Sequence, residues 1–200
     1  MKRIEIEGSS PLFIGCWKIE PESVCDRVVE FFETHAYKQE AGQSAGGVTV
    51  EHKNSTDMTI HPRDLKLPEY EPVKVYIDTL FEFFKDYLEQ YPFLASIMPR
   101  ADVSSFNIQK YLPGGHFKLE HSERTAIINS HRVLVWLTYL NDVEDGGTTT
   151  FTHQNLQVQP EKGKTVIWPA EWTHSHTGDV LNSGTKYICT GWMHFPHDAR

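Results

Sequence analysis

A chain of 200 residues, 39% hydrophobic and 12% aromatic, can close a core, which excludes a disordered polymer. Nineteen Lys and Arg against 27 Asp and Glu give a formal charge of −8, the wrong sign for a broad phosphate-binding surface, so no nucleic-acid partner is expected. Three cysteines without C-x-x-C spacing suggest reduced thiols in a cytoplasmic protein. The start MKRIEIEGSS lacks a leader's apolar stretch and no run is long enough to span a bilayer, so no membrane association is expected either.

In chain order, PESVCDRVVEFFETH (21–35) spaces Val24, Val28, Val29 and Phe32 as one face of a helix, with Pro21 in the first turn. Residues 36–67 are Gly-, Ser- and Asn-rich at first and lack periodicity. They read as a long loop with a short strand near 47–51, either a lid over a site or a surface excursion. EPVKVYIDTLFEFFKDYLEQY (71–91) is the strongest helix, with Val73, Tyr76, Leu80, Phe83, Phe84 and Leu88 on one stripe that belongs to a core. After Pro99 come short β-branched or aromatic segments, FNIQKYL, RVLVWLTYL, TTTFT, LQVQ, KTVIWPA and KYICTGWMHF, separated by PGG, DGG, PEKG and NSG. Helices followed by about eight strands make an α+β chain of one domain, with helical support and a loop in 1–100 and a jelly-roll in 101–200.

Chemistry concentrates in two places. In YLPGGHFKLEHSERT (111–125), His121 and Glu123 are two apart, so on an extended segment both side chains leave the same face and can grip one cation. His116 and His131 are nearby but neither precedes a carboxylate by two. In EWTHSHTG (171–178), His174 and His176 compete to complete the set. Two imidazoles and one carboxylate on one side of an octahedral ion leave three positions open, as in non-haem Fe(II) oxygenases. Lys186 follows on the next strand, where a long cation can neutralise the buried far end of a dicarboxylate.

The ordered motifs Y-x-P-G, H-x-E, RVLVWLTYLNDVEDGGTTTF, W-P-A, H-x-G and GTKYI-x-TGW resemble the 2-oxoglutarate/Fe(II) dioxygenases, in their prolyl 4-hydroxylase-like branch, from about Phe106 to Phe195. The resemblance implies a double-stranded β-helix (jelly-roll, cupin-like) core. It also selects His176, which is followed by x-Gly and precedes Lys186 by ten residues, as the metal ligand with His121 and Glu123, leaving His174 a supporting role. It further implies that Lys186, Tyr111 and Thr149 hold the cosubstrate 2-oxoglutarate, and that Arg132 and Trp192 line the substrate side. Glu123 stands where the branch usually carries Asp. The first histidine lies one residue further from Tyr111 than usual. The implied activity is hydroxylation of a carbon, in a prolyl or other residue of a peptide or amino-acid substrate, using Fe(II) and O₂, with succinate and CO₂ as co-products and ascorbate as an auxiliary reductant. Two alternatives remain: a cupin-like Zn or Ni protein with a binding or isomerase role, and a β-sandwich interaction module. No residue pattern addresses the oligomeric state.

Overall fold

The structure, a computed structural model, describes residues 2–4, 13–44 and 47–196. Most of the opening decapeptide, expected to carry no leader, lies outside the described residues. The chain runs β1 (Lys2–Arg3), β2 (Gly15–Lys18), α1 (Ser23–Thr34), β3 (Glu40–Ala41), β4 (Lys53–Asn54), β5 (Thr56–Ile60), α2 (Glu71–Gln90) and α3 (Pro92–Ile97). It continues through β6 (Asp102–Val103), β7 (Phe106–Tyr111), β8 (His116–His121), β9 (Arg132–Tyr139), β10 (Thr149–Phe151), β11 (Leu156–Val158), β12 (Lys164–Pro169), β13 (His176–Gly178) and β14 (Lys186–His194).

Two antiparallel sheets face each other. Among the described residues the larger has nine strands in the order β1-β2-β12-β9-β14-β7-β5-β3, with β6 on β14; the smaller has five, β11-β10-β13-β8-β4. Period-2 alternation along β14 separates the two cores it borders. Cys189 and Met193 join the cluster under the helices, whereas Ile188 joins the cluster between the sheets. Gly191 is required by close approach: a Cβ there would lie 2.5 Å from both the Phe106 Cβ and the Trp136 ring.

Helix α2 buries Val73, Tyr76, Ile77, Leu80, Phe83, Phe84, Tyr87 and Leu88, the 3-to-4 spacing read from sequence, with Pro72 in its first turn. Polar contacts fix its seat on the sheet. Tyr76 donates to Thr138 Oγ1 (2.9 Å) and accepts from Trp136 Nε1 (3.0 Å), and Trp17 Nε1 donates to Asp86 (2.9 Å). The helices therefore back one face of the larger sheet.

The first half of the chain is more than helices and loop, because five of its segments pair into the two sheets. The strand expected near 47–51 is absent. Only an isolated bridge joins Ser44 to Gly47, a turn covers 50–52, and the paired segments are β4 and β5. Val48 and Val50, which suggested the strand, are exposed, whereas Met58 and Ile60 alternate into the core. Burial of alternate residues, not β-propensity alone, decides which segment pairs.

Candidate active site

β8 and β13 are antiparallel neighbours whose register sets His176 opposite His121, with ring centroids 4.4 Å apart. Just beyond β8, the Glu123 N–H donates to the Ala170 carbonyl (3.2 Å). Glu123 Oε1 lies 3.6 Å from His121 Nε2 and 3.9 Å from His176 Nε2. One donor atom from each of the three residues falls within 4.8 Å of the others, and this is the cluster of that kind found among the described residues.

Both imidazoles are oriented by the backbone. His121 Nδ1 sits 2.7 Å from the Leu119 carbonyl and His176 Nδ1 3.0 Å from that of His174. A carbonyl only accepts, so each Nδ1 carries the proton and each Nε2 lone pair is turned toward Glu123. Burial, then the neighbouring His121, pushes His176 down to about 3, which keeps it a neutral ligand at physiological pH. Phe117 stacks on His121 with centroids 3.8 Å apart and 16° between planes, further fixing that ring.

The second oxygen of Glu123 is occupied. Trp192 Nε1 donates to Oε2 at 2.7 Å, and Arg132 Nη1 reaches it at 3.4 Å and the Glu123 carbonyl at 3.2 Å. The Arg132 guanidinium lies over the Trp192 ring, 3.6 Å from its centroid. Both residues expected on the substrate side therefore also touch the carboxylate, and Oε1 is the oxygen left facing the histidines.

Lys186 opens β14 opposite Tyr111 in β7. It is 3% exposed, donates to the Gly147 carbonyl (2.8 Å) and has its ammonium 4.4 Å from the Tyr111 ring centroid. Burial pulls it down to about 8, against the opposing field of Asp179. Tyr111 donates to Gln109 Oε1 (2.7 Å), and Thr149, opposite Gly178, accepts from Tyr139 (2.6 Å). These residues are buried, and a buried ammonium bonded to a neutral carbonyl has the chemistry to receive an anion.

The other histidines stand apart from the cluster. His116 Nδ1 is 2.9 Å from the Gly114 carbonyl, and His131 meets His194 edge-on at 5.3 Å. His174 is buried in the turn Trp172–His174, with Nδ1 3.0 Å from Thr173 Oγ1. Its carbonyl serves the site by orienting His176.

Sequence reasoning passed over Tyr139, Trp168, Gln109, Asp57 and Lys53. Tyr139 and Trp168 read as strand aromatics, yet one bonds Thr149 and the other lies edge-on to His176 at 5.1 Å. Trp168 Nε1 is buried without a hydrogen-bond partner, a donor that a bound group in this interior would satisfy. Two neutral imidazoles, one carboxylate oxygen and an orphaned donor beside them fit a divalent metal carrying further ligands.

Residues 106–194 match the 2OG-Fe(II) oxygenase superfamily. Every expected site residue from Tyr111 to Trp192 falls inside this matched segment, whereas Lys53 and Asp57 lie before it. Over 134 residues the chain is 27% identical to a probable prolyl 4-hydroxylase 9 of Arabidopsis thaliana, which covers 54% of this chain and 46% of that protein. The chain thus spans about half the length of such curated relatives. In fold it is similar to a prolyl-4-hydroxylase of Pseudomonas putida, with a TM-score of 0.69 and 15% identity over 94% of this chain and 95% of that one. It is also similar to a Trichoplax adhaerens prolyl hydroxylase solved with a hypoxia-inducible-factor peptide fragment, with a TM-score of 0.69 and 14% identity over 90% of this chain and 83% of that one. The architecture is the jelly-roll double-stranded β-helix of those enzymes.

Proposed function

We propose that this chain is an Fe(II)- and 2-oxoglutarate-dependent dioxygenase that hydroxylates a carbon of a peptide or amino-acid substrate, a prolyl residue being the first candidate. The observation that carries the reading is the His121–Glu123–His176 cluster with the buried ammonium of Lys186 in the same sheet-enclosed interior. Iron with 2-oxoglutarate and O₂ supplies the oxidising power, with succinate and CO₂ as co-products. The chain's own residues hold and orient. His121, Glu123 and His176 grip the ion, Lys186 and Thr149 receive the far carboxylate of the cosubstrate, and the apolar walls exclude water. Arg132 and Trp192 border both Glu123 and the substrate side.

The peptide preference rests on similarity to prolyl hydroxylases, one of which was solved with a peptide. Cytoplasmic residence is supported by three free, buried cysteines. No helix among the described residues is long and apolar enough to cross a membrane. The donor set alone also suits zinc or nickel in a non-redox cupin. Lys186 favours the oxidative reading, because a zinc site needs no buried receptor for a dicarboxylate. The test is succinate release in the presence of Fe(II), O₂ and 2-oxoglutarate, abolished in His121→Ala and in His176→Ala. Full activity in both variants refutes the assignment. Mass spectrometry of a peptide and amino-acid library, reading the gain of one oxygen, identifies the substrate.

A further inference from the structure

A buried polar chain runs from the sheet edge to the cosubstrate pocket, and its protons can be ordered. Lys53, 4% exposed, donates to Asp57 Oδ2 at 2.5 Å. The same oxygen accepts from Gln109 Nε2 at 3.1 Å, and Asp57 Oδ1 accepts from Ser55 Oγ at 2.7 Å. Gln109 Oε1 then accepts from the Tyr111 hydroxyl at 2.7 Å, and the Tyr111 ring lies beneath the Lys186 ammonium.

A carboxylate has no proton to give, so Asp57 dictates every direction downstream. Gln109 must turn its NH₂ toward Asp57, which aims its carbonyl at Tyr111. Ser55 also gives its hydroxyl proton to this carboxylate, at Oδ1. The Gln109 carbonyl is therefore the acceptor presented to the phenol, and its O–H is drawn into the sheet. Lys53 holds the carboxylate that imposes this order.

We propose that the Lys53–Asp57 pair is a positioning device for the cosubstrate pocket, committing the Tyr111 proton to Gln109. Donation to the far carboxylate of 2-oxoglutarate is then left to Lys186 and Thr149, while Tyr111 supplies a ring face to Lys186. This rests on the proposed cosubstrate role of Lys186. It assigns work to residues outside the matched segment, in a stretch that reads as loop.

The experiment is equilibrium dialysis of 2-oxoglutarate on the Mn(II)-loaded full chain, without turnover. Tyr111→Phe is measured in the native background and in a Lys53→Met, Asp57→Asn background, where removing both charges leaves no buried ion unpaired. With the carboxylate gone, Gln109 is free to reverse and Tyr111 to turn its proton to the ligand. The loss caused by Tyr111→Phe should then grow by about tenfold or more, the worth of a hydrogen bond to a charged group. Equal losses in the two backgrounds overturn the proposal. Should the double variant not fold, the native chain loaded with Zn(II) decides by nuclear magnetic resonance. The burial-protected Tyr111 hydroxyl proton should show Overhauser contact to Gln109 with 2-oxoglutarate bound, and contact to the ligand methylenes instead refutes the ordering. Lys186→Ala separates the two levels. A loss of about tenfold or more supports the cosubstrate reading; undiminished binding removes that reading, and the proton order with it.

Discussion

Replacing Trp192 by Phe removes one hydrogen bond from the carboxylate of the ligand cluster and keeps a ring beneath Arg132. The lost bond runs from Nε1 to Glu123 Oε2 at 2.7 Å. Hydrogen bonds to charged groups contribute about 1.5–3 kcal/mol. Arg132 remains at 3.4 Å and continues to hold the oxygen, which places the loss in the lower part of that range. An expected cost of about 1.5–2 kcal/mol corresponds to roughly ten- to thirtyfold weaker metal binding. That agrees with the general cost of disturbing groups that orient metal ligands, about 10–100-fold. The assay is anaerobic Co(II) titration followed by visible absorption, with Fe(II) competition. Glu123→Asp probes the same contact from the other side, because one methylene withdraws the carboxylate by about 1.5 Å. The two changes break one bond, so the double variant should lose little more than the worse single one. Affinity within twofold of the native value in Trp192→Phe, or additive losses in the double, would refute the reasoning.

Lys186 makes the empty protein and the loaded one respond oppositely to alkali. Its folded value of about 8 lies below the ordinary 10.5, so between these pH values the unfolded chain binds more protons than the folded one. The penalty for burying the ammonium is complete below pH 8 and fades as pH rises, so the native chain should gain on Lys186→Met by roughly 3 kcal/mol in all across this window, read by thermal melts. Affinity for 2-oxoglutarate, which needs the ammonium, should instead weaken toward about tenfold per pH unit above 8, measured by equilibrium dialysis. Gly147→Ala should cost about 1–2 kcal/mol in thermal stability, because φ is +68° there. Its Cβ would also stand 3.2 Å from Lys186 Cδ, so cosubstrate affinity should fall with it; an unchanged melting temperature and affinity would contradict this.

The first two members of the cluster, His121 and Glu123, were legible because their chemistry is written in local spacing. H-x-E places two donors on one face, whereas the choice of His176 over His174 came from the family resemblance, through the x-Gly that follows it and the interval to Lys186. Helix α2 was equally plain, since its buried side chains recur every three or four residues. What local spacing does not carry is register. Gln109 meets Asp57 because β7 pairs with β5, and Tyr111 lies beneath Lys186 because β7 pairs with β14. The same holds for the grip on Glu123: Trp192 is 69 positions away in the chain, and its indole nitrogen has a partner only once β14 has folded alongside β9. The segment holding Lys53 and Asp57 read as loop because Gly and Ser precede it and its two strands are short. Its true strand signal, Met58 and Ile60 alternating inward, is diluted by polar residues that face the other way.

The pairing of His121 with His176 across β8 and β13 has a mechanical side. The smaller sheet is built of five short strands, and the register along this pair is already broken by a bulge between His176 and Gly178. An ion clasped there would rivet two distant stretches of polypeptide across an irregular seam of the smaller sheet. Chelation should therefore loosen this sheet first, with amides of 116–121 and 176–178 exchanging hydrogen for deuterium sooner while those of β9 and β14 stay shielded.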